Sequence, residues 1–538
     1  MTARAPQEFL DAYNAALTAW DAARSTERLW AKDASLWTNH GEERWLGWLD
    51  APTIDAAALA ALENRIHAAM LRGTRDVLLI GMGGSSLGPE VIARVLPRAP
   101  SGATVRVLDS TEPSFVHNAL AETDWRQTMV VVASKSGSTL EPDILLATAL
   151  DAARATLGND APKHVIAITD PGSHLFSQAT QLGFAATFAG DPSIGGRYSV
   201  LSPFGLVPAA MHGVELSVFM RSAHDMAAQC HGAAKRNPGV QLGVFLATAA
   251  KAGRDKCTLV RSPSFAALGP WIEQLIAEST GKNGKAILPI DGEPLGKPSS
   301  YGNDRAFVYV RDNSTTDALM SQVGALAAAG CPTFTVEVPS TAALAGEFFR
   351  WEFATAVAAS IIGVNAFDQP DVEASKIATR ALTDAAERGT APPPVAADTE
   401  SLRELLASIN PGDYVALLAF LPMFPECVAA LQRTRLRIRD ARGVATSVGF
   451  GPRFLHSTGQ AFKGGPNTGV FIQLTCDAPN DLAIPGRRVT FGTVVAAQAA
   501  GDLAVLRDRG RRVAHVHVRG DLTRALADFD AAVAAALA

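Results

Sequence analysis

The amino-acid sequence predicts an α/β protein built of parallel sheets wound on both faces by helices. Two observations carry this. Short β-branched runs alternate with longer helical stretches along most of the chain. A length of 538 residues also exceeds what one hydrophobic core supports, so the alternation must be shared among two or three units.

From Met1 to about Arg72 the pattern is helical, with Trp20, Leu29, Trp30, Leu36 and Trp37 offering apolar faces between charged residues. Strands are expected at Asp76 to Ile80, Thr104 to Leu108, Met129 to Ala133 and His164 to Thr169. A second set follows at Lys256 to Arg261, Ala286 to Ile290, Ala306 to Arg311 and Thr333 to Val338. Two helices come next, from Glu347 to about Gly363 and from Asp371 to Arg388. The string GTAPPPV over Gly389 to Val395 then marks a linker, because consecutive prolines forbid helix. Beyond it, Tyr414 to Phe420, Val444 to Phe450, Val470 to Thr475 and Arg512 to Val518 read as strands of a smaller unit. The expected division is a helical segment over 1–70, two doubly wound sheet domains over 71–225 and 226–388, and an α/β domain over 396–538. The first two have similar layouts.

Composition narrows the function. The chain is 48% hydrophobic and 19% charged, which is ordinary for a globular protein. A formal charge of −5 leaves no basic face for phosphodiester backbones or anionic lipid, so neither nucleic acid nor a membrane is an expected partner. Five scattered cysteines without metal-ligand spacing fit a reducing cytoplasm. The first thirty residues carry acids throughout, unlike a signal peptide, and no stretch has the apolar length of a membrane span.

Two loops point to a phosphate. In VLLIGMGGSSLGP, Val77 to Pro89, a buried strand enters a glycine loop and then a helix, with Pro89 suited to its first turn. Gly81, Gly83 and Gly84 let backbone approach an anion, and Ser85 and Ser86 add hydroxyls. A dinucleotide fold is the rival reading, with Asp109 at the ribose position, but the third glycine is replaced by Ser86. In SKSGSTLEP, Ser134 to Pro142, four hydroxyls and Lys135 crowd six residues before a helix. Ser134, Ser136, Ser138 and Thr139 could surround a phosphate monoester there. Plain N-capping by Ser138 or Thr139 is the simpler alternative, and it does not explain the density of hydroxyls.

With GGRYSVLSPFGL at Gly195, ESTGK at Glu278 and VNAFDQPDVEASK at Val364, these strings resemble the sugar isomerase superfamily, and within it the phosphoglucose isomerases. The likeness covers roughly residues 75 to 380. WAKDASLW near Trp30 and GPRFLHSTGQ at Gly451 are further similar to the isomerase half of bifunctional transaldolase and phosphoglucose isomerase proteins. No segment resembles the transaldolase barrel, so a free-standing isomerase is expected, with a transaldolase on another chain as a functional partner to consider. The fold implied is two sugar-isomerase-type, three-layer sheet domains.

The implied activity is aldose-ketose isomerisation of glucose 6-phosphate and fructose 6-phosphate, with a sugar phosphate as ligand and neither cofactor nor metal. Such chemistry needs one base that moves a proton between neighbouring carbons. The resemblance gives that role to Glu278, at the end of the apolar helix Trp271 to Ala277, where an apolar wall should raise its pKa. It places Arg197 against the enediolate oxygens. It further implies Lys376 as the ring-opening acid, Gln369 as a substrate contact, Glu141 as a residue orienting its neighbours, and Gly84, Ser85, Ser134, Lys135, Ser136, Ser138 and Thr139 as binding groups.

One part of the pattern breaks. The family's ring-opening histidine is missing before Thr333 to Val338, where the chain reads ALAAAGCPTFTVEVPS, and no histidine lies between His231 and His456. His456, in a polar glycine-rich loop after a strand, is the expected replacement. His515 and His517 alternate on a strand and lack an acidic or cysteine partner in sequence, which favours packing over metal. A non-catalytic sugar-phosphate sensor and an isomerase of another phosphosugar are the alternatives. Related isomerases are often dimers that share active-site groups; the other arrangement is that the C-terminal domain takes over this role within one chain.

Overall fold

The computed structural model describes residues 1–388 and 400–538, so the expected linker at Gly389 to Val395 lies outside the described residues. Fourteen strands are present among these: β1 Thr2–Arg4, β2 Asp76–Gly81, β3 Thr104–Leu108, β4 Thr128–Ala133, β5 Val165–Thr169, β6 Ala186–Ala189, β7 Lys256–Arg261, β8 Leu288–Ile290, β9 Arg305–Asp312, β10 Thr333–Val338, β11 Tyr414–Phe420, β12 Ala445–Phe450, β13 Gly469–Cys476 and β14 Arg512–Val518.

They form three sheets, ordered β3-β2-β4-β5-β6, β1-β10-β9-β7-β8 and β12-β11-β13-β14. Every strand pairing is parallel except that of β1 with β10. This is the expected α/β class. Among its parallel strands, each sheet places the second in sequence outside the first and the third on the other side, so the winding reverses beside β2, β7 and β11. Crossovers bury both faces of such sheets. That is why Val77, Leu78, Leu79 and Ile80 form one apolar run without alternation, all fully buried.

Two strands were not expected. β1 is three residues, Thr-Ala-Arg, held as an antiparallel edge by β10, and β6 is a four-residue parallel edge. Both are too short to show a period, and β1 falls inside the stretch read as helical. The rest of that stretch is helical: Gln7–Ala22, Ser25–Trp30 and Ala56–Ala69, with 3-10 turns between, burying Trp20, Leu29, Leu36 and Trp37.

The largest core joins the first two sheets to this N-terminal segment. At its centre the helix Leu344–Ile362 packs on Leu216–Gln229 and Pro238–Lys251 and is buried along most of its length. The third sheet covers one face with the helices Glu400–Ala407, Pro425–Arg442 and Leu522–Leu537. Its other face meets Ala277, Leu288 and Ile290 of the second unit and the helix Phe491–Asp508. Polar bonds fasten that seam: Arg435 Nη1 donates to the Asp291 carbonyl at 2.9 Å and Thr446 Oγ1 to Glu293 at 2.9 Å. No described helix is long and apolar enough to cross a membrane.

Candidate functional site

The two glycine- and hydroxyl-rich loops leave the C-terminal ends of β2 and β4, which are neighbours at the winding reversal of the first sheet. Ligands of open α/β sheets bind at such a crevice. After β2 the helix Gly84–Val95 begins at once, so Pro89 lies inside it and not in its first turn as expected. Gly83 has φ +58°, a conformation that favours glycine. A Cβ on Gly84 would stand 1.9 Å from the carbonyl oxygen of Gly196. The glycines therefore bring this loop against the Gly195–Arg197 segment. Gly84→Ala is expected to destabilise the protein by roughly 1–3 kcal/mol, read as a lower denaturation midpoint with an unchanged slope.

The dinucleotide alternative fails on Asp109. Its carboxylate accepts from Ser86 Oγ at 3.1 Å and pairs with Arg453 Nη1 at 3.0 Å, and it is 1% exposed, which leaves nothing for a ribose.

After β4, Ser136, Gly137, Ser138 and Thr139 lead into the helix Leu140–Leu157 and line a cavity of about 680 Å³. Thr139 occupies the N-cap but makes no side-chain capping bond, nor does Ser138 cap this helix, so capping does not account for the hydroxyls. The Ser136 and Ser138 hydroxyls lie 3.2 Å apart, and the buried Ser134 hydroxyl has no partner. The hydroxyls and the positive end of the helix dipole together favour an anion here. Lys135 is turned aside. Its ammonium is 2.6 Å from Asp170 and bonds the Asp191 carbonyl, and it does not line the cavity.

The far wall comes from the helix Pro370–Glu387, including Lys376 and Arg380, and from the C-terminal unit, including Leu455, His456, Arg487 and Gln498. Lys376 is half-exposed, with its Nζ 3.6 Å from Glu373. Glu141, on the first turn of its helix, also faces the cavity. His456 Nε2 lies 3.1 Å from Glu141 Oε1, and Gln498 Nε2 donates to the same oxygen at 2.8 Å. Burial alone would raise the Glu141 carboxyl, but the charge and hydrogen bond of His456, with Lys376 nearby, hold it below the ordinary carboxylate range.

Glu278 and Arg197 are not on the lining. Glu278 is in the last turn of the helix Leu268–Thr280 and is buried. Its carboxylate pairs with Arg197 Nη1 at 3.1 Å. Arg197 also donates to Gln369 Oε1 at 3.1 Å and to the carbonyls of Ala366 and Asp368, while its buried Nε has no partner. The strings GGRYS, ESTGK and VNAFDQ, far apart in sequence, thus meet at one guanidinium. Gln274 links this pair to the cavity, because its Nε2 donates to Glu278 Oε2 at 3.3 Å and to the His456 carbonyl at 2.9 Å. Ser85 is buried, and neither it nor Gly84 lines the cavity.

Sequence reasoning missed Gln274, Gln498 and Lys282. Gln274 stands four residues before Glu278, one turn up the same helix face, a spacing that could have found it. Lys282, in the ESTGK string, is buried, bonds the carbonyls of Ser279 and Asn365, and lies 2.9 Å from Asp368. Burial first and the Arg197 charge second push its ammonium down to about 7, against the pull of Asp368 and Glu278. His515 and His517 both bond Thr475 Oγ1 at 2.8 Å, and His517 also meets Asp477 at 2.9 Å, an acidic partner not noticed in sequence. The described residues hold no group of three or more His, Cys, Asp or Glu that could bind a metal ion.

Comparison with known proteins fits this arrangement. The phosphoglucose isomerase family matches residues 64–288. A glucose-6-phosphate isomerase of Synechococcus sp. (strain JA-3-3Ab) is 30% identical over 285 residues, spanning 48% of this chain and 53% of that protein. One from Synechococcus elongatus is 27% identical over 403 residues, spanning 64% of this chain and 76% of that protein. The chain thus spans about half the length of the first and three quarters of the second. Among solved structures, a hypothetical protein from Thermus thermophilus superposes with a TM-score of 0.61 at 27% identity, covering 71% of this chain and 99% of that one. A glucose-6-phosphate isomerase from Chlamydia trachomatis shares the fold, with a TM-score of 0.60 at 19% identity over 70% of this chain and 86% of that one. Over the part of the chain that carries both phosphate-type loops, the protein is homologous to the sugar isomerase and phosphoglucose isomerase superfamily.

Proposed function

We propose that the chain is an aldose-ketose isomerase of hexose 6-phosphates that interconverts glucose 6-phosphate and fructose 6-phosphate. One observation carries the reading: the buried Glu278 faces Arg197 at 3.1 Å and is linked through Gln274 to His456, on the wall of a cavity also lined by the hydroxyl-rich loop at a helix N-terminus. A sensor of sugar phosphates needs only the last of these features.

In this reading the phosphate rests on Ser136, Ser138, Thr139 and the first amides of the helix Leu140–Leu157, and Lys376 adds a cation on the opposite wall. Ring opening comes first. Glu141 accepts from His456 Nε2–H, which fixes that tautomer and leaves Nδ1 to take the anomeric hydroxyl proton, while the Lys376 ammonium protonates the ring oxygen. The imidazolium that forms is stabilised by the Glu141 carboxylate. Glu278 then takes the proton from C2 of the open-chain aldose to give the cis-enediolate, the hydroxyl proton passes from O2 to O1, and Glu278 returns its proton to C1, leaving the C2 carbonyl of the ketose. Arg197 stabilises the two enediolate oxygens, where its charge is worth more than in the ground state. Gln369 and the carbonyls of Ala366 and Asp368 keep its plane fixed.

Purified protein should form glucose 6-phosphate from fructose 6-phosphate in a dehydrogenase-coupled assay, with the rate unchanged by a chelator, since Arg197 supplies the fixed cation. Turnover of a different phosphosugar, with none on fructose 6-phosphate, would move the substrate assignment. Absence of turnover on all of them would leave the sensor reading.

A further inference from the structure

Gln498 sits midway along the helix Phe491–Asp508, in the apolar string VVAAQAAG, and is 1% exposed. A primary amide at that depth is costly unless both ends are bonded. Both are. Its Nε2 donates to Glu141 Oε1 at 2.8 Å, and its Oε1 accepts from Thr111 Oγ1 at 2.6 Å, with Thr111 fully buried in the loop after β3. The chemistry of the neighbours fixes which end faces which. An ionised carboxylate only accepts, so the amide nitrogen must point to Glu141; the amide oxygen then needs a donor, and a threonine hydroxyl supplies one.

We propose that Gln498, oriented by Thr111, is a positioning residue that holds the Glu141 carboxylate against the His456 imidazole. The inference rests on the isomerase reading for its catalytic consequence, though the hydrogen-bond relay stands on geometry alone. The chain of bonds runs Thr111 to Gln498 to Glu141 to His456, and each of its three bonds crosses between two units. Thr111 and Glu141 come from the first sheet's connections; Gln498 and His456 come from the C-terminal unit. His456 is located from its other side as well, through its carbonyl on Gln274. Glu141 Oε1 receives two donors at once, so loss of the Gln498 donor leaves the buried carboxyl with His456 and its own backbone amide, one side-chain donor fewer to fix its orientation. The C-terminal unit thus contributes an imidazole to the site and also the group that aims that imidazole's partner.

The charged and titratable groups around Glu141 are His456 from the C-terminal unit and Lys376 from the helix Pro370–Glu387. Neither changes in Gln498→Leu, so a shift in Glu141 titration reports the lost donor. In the full chain, Gln498→Leu is expected to lower kcat about tenfold with KM within about twofold, and to move the acidic limb of the pH profile upward. Carbon-13 labelled glutamate, with the Glu141 carboxyl assigned by its loss in Glu141→Gln, is expected to titrate about one pH unit higher in Gln498→Leu than in the unsubstituted protein. Thr111→Val, which is nearly isosteric, should act in the same direction by a smaller amount, and it decides the matter if Gln498→Leu does not fold. An unmoved Glu141 titration in the folded variants overturns the relay. An unsubstituted protein that turns over no hexose phosphate overturns the isomerase reading instead, and the carboxyl titration still decides the relay.

Discussion

Glu278→Gln is expected to abolish measurable isomerisation, with kcat lowered by roughly 10³–10⁴-fold and KM within about twofold. The substitution preserves shape and keeps an oxygen to accept from Arg197, so the buried pair loses charge but not contact. What disappears is the proton acceptor. A glutamine amide oxygen is far too weak a base to take a proton from carbon, and no other carboxylate bonds Arg197 among the described residues. Stability should fall by about 1–3 kcal/mol, because the buried Arg197 loses its charged acceptor. The decisive measurement is exchange of the C2 hydrogen of glucose 6-phosphate with solvent in deuterium oxide, alongside the coupled rate. If exchange persists in the folded variant at a rate near that of the unsubstituted protein, another group performs the transfer and the mechanism is wrong.

The sheets were the most legible feature of the sequence. Parallel strands buried on both faces leave uninterrupted apolar runs, and Tyr414–Phe420, buried at every residue, has the bounds expected of it. Edge elements were the opposite case: β1 exists because β10 offers an open edge, which a local pattern in Thr-Ala-Arg does not encode. The site divides in the same way. The hydroxyl loop is a dense local string and could be read as an anion site. The pairing of Arg197 with Glu278 is not local, since the two residues are 81 positions apart, and was reached only through resemblance. Gln498 was the hardest to see. A lone polar residue in an alanine-rich helix reads as noise until its partners, 357 and 387 positions away, are brought to it.

The second large effect concerns the histidine from the C-terminal unit. His456→Ala is expected to reduce kcat/KM on cyclic glucose 6-phosphate by about 10²-fold, the lower part of the range for a positioned acid or base. Affinity for an open-chain acid phosphate such as 6-phosphogluconate should stay within about twofold, because that ligand needs the hydroxyl loop and not the ring-opening pair. A structural role for His456 would weaken both. The variant also carries a signature in stability. Glu141 has its carboxyl held below its ordinary range in the folded chain, chiefly by the charge and hydrogen bond of His456 acting against burial. A depressed carboxyl contributes stability that is present above the unfolded value and lost as pH falls through the folded one. Removing His456 removes that contribution, so the unsubstituted protein should exceed the variant in stability most clearly near neutral pH, and the gap should narrow as the medium is acidified below the carboxylate range. Equal gaps at pH 7 and pH 3 would mean that the imidazole does not hold Glu141 in its charged form, and the ring-opening pair would lose its physical basis.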